Sequence, residues 1–286
     1  MHTILVTGSN GLIGSAIKDY SEKDNSYNYI FKNKNELDIY DIIKLLNFFK
    51  NNRINYVINC AAYTNISDSE LQKELMMNTN FHGIKNLLDC SLIFNFKIIN
   101  YSSDYVYDGK KKHPYLESDN AKPLSSYGKS KLLADSLLLE YASNSLTIRT
   151  SWVYGDHEKS FTNKVIELSN NSSVINMVDD QIGSPTYVDD LVRVTFRVLK
   201  NENKWDGQVY NFCNTGSISW YKFAIVLKKA LKLELIINPI SSLDIDSNVI
   251  RPSYSVLNCD KIREKFLIKT RNFEEAFECY IKKLGS

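Results

Sequence analysis

An apolar run entering a glycine turn and a helical pattern, further strand and helix alternation behind it, and the fading of that alternation past Trp152 together predict an α/β chain. The fold class is a Rossmann-like doubly wound parallel sheet with a smaller C-terminal lobe. At 286 residues the chain suits one large α/β domain or two smaller lobes, with ample material for a core.

Residues 3–7 read as a short buried strand running into Gly8-Ser9-Asn10-Gly11-Leu12-Ile13-Gly14, with helical pattern over 12–20. Strand, glycine turn and helix in this order are what a dinucleotide-binding loop needs. Glycines let the backbone approach a pyrophosphate, and a helix N-terminus favours negative charge. The spacing is G-x-x-G-x-x-G, not the commoner G-x-G-x-x-G. Residues 29–31 form a second strand that ends in Lys32-Asn33-Lys34, where an acid would suit the ribose hydroxyls of NAD. Positive charge there suits a 2′-phosphate, so the cofactor expected is NADPH, with NADH possible. Asp38 either contacts the adenine or caps the next helix, over 41–51.

Tyr56-Val57-Ile58-Asn59 makes a third strand, and the small Ala61 and Ala62 after Cys60, followed by Tyr63, let a ligand come close to its C-terminal end. Ser67 or Asp68 can cap a long helix reaching Phe94, in which Asn80 supports backbone near the site. A fourth strand over 97–101 delivers Ser102, Ser103 and Asp104 to the same edge. Tyr127 and Lys131 then stand four apart in a leucine-rich helical pattern and project from one helix face. An ammonium near a phenol stabilises phenolate, and a hydroxyl from Ser102 or Ser103 can hold the same substrate oxygen, giving a Ser/Tyr/Lys proton-transfer centre. With 18 tyrosines in the chain the pair alone is weak evidence, and its weight comes from the loop and strand before it. Residues 145–150 supply another strand. Helices follow over 188–200, over 220–231 behind a Ser219 cap, and behind an Asn272 cap with Glu274-Glu275 early and Lys282-Lys283 late.

The formal net charge of +2 gives no electrostatic case for nucleic acid or a membrane surface as partner. No apolar run approaches the roughly 18 residues of a membrane span, and no signal peptide is implied at the N-terminus. Five dispersed cysteines without C-x-x-C spacing fit reduced thiols in a cytoplasmic protein. The four histidines are scattered, so no metal site is expected.

Taken together, the chain resembles the dTDP-4-dehydrorhamnose reductase family of the extended short-chain dehydrogenase/reductase superfamily. The resemblance runs from Val6-Thr7-Gly8 to Arg251-Pro252. The glycine loop and the Tyr127/Lys131 pair define only the superfamily. Narrower are Arg149-Thr150-Ser151-Trp152, Asp180-Gln181-Ile182-Gly183-Ser184-Pro185-Thr186 and Trp220-Tyr221-Lys222-Phe223-Ala224. The resemblance implies hydride delivery to C4 of a nucleotide-linked 4-keto-6-deoxyhexose, with dTDP-4-dehydro-L-rhamnose as the leading substrate. Tyr127 protonates the oxygen, Lys131 binds the nicotinamide ribose and tunes Tyr127, and Ser103, in preference to Ser102, bonds the reacting oxygen. Asp104 joins them at the substrate, Trp152 walls the sugar pocket or is an ordinary core aromatic, and Arg251 pairs with the diphosphate or forms a surface salt bridge.

Sugar 4,6-dehydratases of the superfamily carry Asp-Glu after the Ser/Thr, whereas here Tyr105 follows Asp104, which leaves reduction or epimerisation. Some family members carry an acid after the third glycine and have been linked to magnesium at a dimer contact. Ser15-Ala16 stand there instead, so no metal is expected, and the chain is a monomer or homodimer. Asp135 replaces a common Glu with its charge kept. The division expected is 1–151 for the NAD(P)-binding domain with the Tyr/Lys helix, and 152–286 mainly for a substrate-binding lobe with segments returning to the core. Rival readings are a reductase or epimerase of a UDP- or GDP-linked sugar, and a non-catalytic NADP-binding regulatory subunit like that of methionine adenosyltransferase.

Overall fold

The structure is a computed structural model that describes residues 1–141, 144–245 and 248–285. The first half alternates regularly. Strands β1 (His2–Thr7), β2 (Tyr27–Lys32), β3 (Tyr56–Asn59), β4 (Lys97–Ser103) and β5 (Ser145–Thr150) are interleaved with α1 (Leu12–Ser21), α2 (Ile42–Asn51), α3 (Lys73–Met77), α4 (Gly83–Phe94) and α5 (Ser126–Glu140). Short elements follow: β6 (Val153–Tyr154), α6 (Phe161–Asn171), β7 (Val174–Val178), β8 (Ile182–Gly183), β9 (Thr186–Tyr187) and α7 (Val188–Leu199). The chain closes with β10 (Val209–Asn211), β11 (Ile218–Ser219), α8 (Trp220–Leu231), β12 (Ile236–Ile240), α9 (Asp260–Phe266) and α10 (Phe273–Leu284).

Six strands make one parallel sheet in the order β2-β1-β3-β4-β5-β10. Alternate residues feed two cores: Ile4, Val6, Ile58, Ile99 and Ile148 pack on one face with α1 and α7, and Leu5, Val57 and Ile98 on the other with α2 and α4. Burial on both faces is why these strands read as apolar runs in the sequence. The strand order reverses between β1 and β3, and that crevice is where such sheets take ligands.

Beyond β5 the chain builds two-stranded pairs over the sheet's C-terminal edge, β6 with β9, β7 with β12 and β8 with β11. Part of this half returns to the core: β10 extends the main sheet beside β5, and α7 lies on α1, with Tyr20 and Phe196 stacked at 4.2 Å. Two expected helix caps differ from the sequence reading. Asp41, not Asp38, caps α2, accepting from the Lys44 amide at 3.0 Å. The long helix ending at Phe94 begins at Lys73, because the 66–72 segment closes on itself through Ser69 N to Ile66 O and Gln72 N to Asp68 O bonds. A π-helical turn over Asn78–His82 joins α3 to α4.

Candidate active site

A cleft of about 730 Å³ opens along the C-terminal edge of the sheet. Its floor is polar and knit across three strands, with Thr7 Oγ1 donating to Asn59 Oδ1 (2.6 Å) and Asn59 Nδ2 to Asn100 Oδ1 (2.9 Å). At one end Gly8 has φ +62, and a Cβ there would lie 2.5 Å from the Ala61 backbone nitrogen. The chain therefore crosses between β1 and β3 with no room for a side chain. Gly14 is outside the cleft wall and has a packing role, since a Cβ on it would sit 2.5 Å from the Gly8 carbonyl oxygen. Gly11 starts α1 with no side-chain cap, so the first-turn amides of a ten-residue helix face the cleft beside Asn10, Leu12 and Ile13. This cradle fits a pyrophosphate.

Ala61, Ala62 and Asp38 line the same end. Tyr63 and Asn80 do not: Asn80, inside the π turn, accepts from the Tyr63 amide (2.8 Å) and donates to its carbonyl (3.1 Å) and to Ser130 Oγ (3.1 Å). It thereby fixes the strand end to the Tyr127 helix. Lys32 is also not brought to the cleft. It is the last residue of β2, paired with Thr7, and its Nζ lies 3.5 Å from Glu36. Lys34, two residues on, lines the cleft with Asn33 and has no ion-pair partner among the described residues.

In the middle of the cleft β4 presents Ser102 and Ser103, the turn after it Asp104, and α5 presents Tyr127 and Lys131. Ser125 caps α5 through the Gly128 amide at 3.1 Å. Gly128 lets the helix abut the loop after β4, since a Cβ there would stand 2.1 Å from the Tyr105 carbonyl oxygen. Tyr127 packs edge-to-face on Tyr105, centroids 5.7 Å apart. Burial pushes the Tyr127 phenol well above its ordinary range, with Ser103 pulling the other way and Asp104 adding to the rise. The phenol is therefore protonated at neutral pH, the form a general acid requires.

The Lys131 ammonium is buried and donates to the Tyr101 backbone carbonyl at 2.6 Å; burial brings it down to about 8, with Asp135 opposing. The lowered phenol pKa anticipated from the lysine is not what the structure displays. Burial governs the phenol, and the ammonium is aimed at β4. Ser103 Oγ donates to Asp104 Oδ1 (3.0 Å) and accepts from the Tyr105 amide (3.2 Å). Asp104 is pushed up to about 6 by burial, against the Ser255 and Ser103 hydroxyls. Its Oδ2 and the Ser102 hydroxyl are buried with no hydrogen-bond partner, in two residues that line the cleft.

The far wall is aromatic and basic. Trp152 stacks on Trp220 with centroids 3.5 Å apart and planes 8° apart, and Phe161 lies 4.6 Å from Trp220. Lys159 and Lys164 line this wall, and Arg251, across the cleft, donates to Ser67 Oγ at 3.3 Å. Trp220, Phe161, Lys34, Lys159 and Lys164 escaped the sequence reading as site residues. The signal for Trp220 was present, since it opens one of the narrow motifs, and Lys34 stood in the Lys32-Asn33-Lys34 run. Nothing local marked the others. No cluster of three or more His, Cys, Asp or Glu able to hold a metal occurs among the described residues, and no helix among them is long and apolar enough to cross a membrane.

A doubly wound sheet with a glycine cradle at its switch point, and a Tyr/Lys pair facing a serine on the neighbouring strand, defines a nicotinamide-dependent dehydrogenase/reductase of the short-chain superfamily. The family model described as "RmlD substrate binding domain" matches residues 1–286, so the chain belongs to that family, the dTDP-4-dehydrorhamnose reductases. It is 31% identical over 288 residues to the dTDP-4-dehydrorhamnose reductase of Aggregatibacter actinomycetemcomitans, covering 97% of this chain and 98% of that protein. The crystal structure of a dTDP-4-dehydrorhamnose reductase from Clostridium acetobutylicum superposes with TM-score 0.93 at 32% identity, over 99% of this chain and 100% of that one. That of the Bacillus anthracis enzyme in complex with NADP gives TM-score 0.92 at 29% identity, over 99% of each chain. The protein is thus an NAD(P)H-dependent oxidoreductase.

Proposed function

We propose that the protein reduces the C4 keto group of a dTDP-linked 4-keto-6-deoxyhexose with NADPH, converting dTDP-4-dehydro-L-rhamnose to dTDP-L-rhamnose. The observation that carries this reading is the convergence of Ser103, Tyr127 and Lys131 in one cleft with the glycine cradle, with Tyr105 where a dehydratase would need a second acid. Relatives and solved structures bearing the reductase name over the full length of the chain support it.

When bound, the reduced nicotinamide supplies the hydride. The chain's own residues manage the oxygen. Ser103 donates a hydrogen bond to the carbonyl and aligns it, and Tyr127 gives its phenolic proton to the oxygen as negative charge develops there. Lys131, held by the Tyr101 carbonyl, keeps positive charge beside the phenol and reaches the nicotinamide ribose. Asp104 Oδ2 and Ser102 Oγ bond sugar hydroxyls, and Arg251 takes the diphosphate. Gly8, Gly11 and the α1 N-terminus hold the cofactor pyrophosphate, and Lys34 faces its 2′-phosphate. Residues 1–151 supply the cofactor side and the groups around the reacting oxygen, and 152–286 mainly the rest of the sugar side.

The test is nicotinamide oxidation with dTDP-4-dehydro-L-rhamnose, NADPH against NADH, in wild type and Tyr127→Phe. Turnover in wild type that falls by about 10²-fold or more in the variant is expected from loss of a general acid. Cofactor binding without turnover by wild type would sink the assignment, and competition by free dTDP, UDP and GDP separates the nucleotide classes.

A further inference from the structure

Four non-glycine residues among the described ones have positive φ. Asn95, Lys232 and Leu267 are the left-handed caps that end α4, α8 and α9. Trp152 (φ +47) ends no helix. It sits two residues past Thr150, the register partner of Ser103 across β4 and β5, and lines the same cleft as Ser103 and Tyr127. A bulky side chain in this backbone region is unfavourable and persists only where its surroundings impose it, which happens most often at functional sites.

The surroundings do impose it. Gly183 lies against the indole, where a Cβ would stand 2.4 Å from the ring, and the Thr186 amide donates to the Trp152 carbonyl at 3.2 Å. The β8–β11 pair sets Gly183 opposite Ile218, and Ser219, the cap of α8, leads directly into Trp220, which covers the other indole face. Phe161 backs Trp220 at 4.6 Å and Phe223 at 5.0 Å, so the second indole is itself fixed.

We propose that Trp220 is a positioning residue for sugar recognition: stacked on Trp152 across from Gly183, it holds that indole in its left-handed backbone pose, so that the rim left open to the cleft bounds the seat of the deoxyhexose. This rests on the nucleotide-sugar reading above. The narrow Asp180–Thr186 and Trp220–Ala224 motifs then share a physical role, since Gly183 and Trp220 together build the bed of a single side chain contributed by a third motif.

The experiment is a thermodynamic cycle on binding. Kd for dTDP-L-rhamnose, by calorimetry with NADPH-saturated enzyme, and Kd for NADPH alone are measured for wild type, Trp152→Ala, Trp220→Ala, Trp220→Phe and the two Trp152→Ala double variants. Trp220→Ala should weaken sugar binding about tenfold, with Trp220→Phe recovering most of it, since stacking can be supplied by another ring. Neither change should move NADPH affinity more than about twofold. On the Trp152→Ala background both Trp220 substitutions should cost nothing further, because a residue acting through another has no effect once that one is gone. Should Trp220→Ala not fold, the Trp220→Phe arm of the cycle decides. Costs that multiply in the double variants, or equal losses of NADPH and sugar affinity, would overturn the proposal while leaving the reductase reading standing. Failure of wild type to bind dTDP-L-rhamnose would overturn both.

Discussion

The Lys131 ammonium is tied to the backbone carbonyl of Tyr101 by a 2.6 Å hydrogen bond, so the proton-transfer helix is anchored to the strand that carries Ser103. The same burial that fixes this lysine brings it down to about 8, while the Tyr127 phenol is held far above that. An alkaline fall in rate near pH 8 therefore belongs to the lysine. Its charged form is present below about 8 and lost above it, so kcat/KM should decline as pH rises through that value. Lys131→Ala should lower kcat/KM by about 10²-fold or more and abolish the limb. An unchanged alkaline limb in that variant would reassign it.

Asp104 should make the protein less stable at neutral pH. Its carboxyl is raised from 3.8 to about 6 by burial, and Oδ2 has no partner. The folded state therefore holds a proton that the unfolded chain has released, and stability is highest below about 4 and falls as pH rises through about 6. The loss at pH 7 is about 3 kcal/mol in order of magnitude. Asp104→Asn should raise the melting temperature at pH 7, flatten this slope and lower kcat/KM, since the freed carboxylate oxygen is reserved for substrate. Thermal melts at pH 4, 6 and 8 check it, and a variant that melts lower than wild type at pH 7 contradicts it.

Lys34, not Lys32, should set cofactor preference. Lys32 is engaged with Glu36, whereas Lys34 faces the cleft. A charge-assisted bond to a 2′-phosphate contributes about 1.5–3 kcal/mol, so Lys34→Ala should reduce the NADPH-to-NADH ratio of kcat/KM by roughly tenfold to a hundredfold. Lys32→Ala should leave it within about twofold, and equal effects from the two would mean the Glu36 pair opens on binding.

The strands and the glycine cradle were legible because a sheet buried on both faces writes its strands as apolar runs, and a backbone crossing as tight as Gly8 on Ala61 admits only glycine. The shared helix face of Tyr127 and Lys131 was legible from their spacing, and its meaning only from the glycine loop and strand before it. Which lysine after β2 enters the cleft was not, because it depends on where the strand ends against Thr7 and on a side-chain pair with Glu36. The start of α3 was displaced for a related reason: Asp68 looks like a cap but its carbonyl closes a turn with Leu71 and Gln72. The motif that Trp220 opens was legible but its seat on Trp152 is set by tertiary packing, and the hydrogen bond of Lys131 to Tyr101 has no local sequence signal.

Asp135, read from sequence as a charge-preserving replacement, is fully buried and accepts from Arg149 Nε at 2.8 Å, while Arg149 Nη1 donates to the Tyr107 hydroxyl at 2.9 Å. The pair fastens α5 to β5, one turn beyond Lys131, and its carboxylate is the charge that opposes the burial-driven fall of the Lys131 ammonium. Asp135→Asn leaves the Arg149 charge buried without compensation, a loss of about 3–5 kcal/mol. The melting temperature should drop by roughly 5–8 °C for a chain of this size. In whatever fraction stays folded, Lys131 loses its supporting charge, so the alkaline limb of kcat/KM should move to lower pH than in wild type. Melting curves and rate profiles on the same preparation test the two consequences together. A limb that stays in place despite the lost stability would mean that Asp135 serves the fold and not the proton-transfer helix.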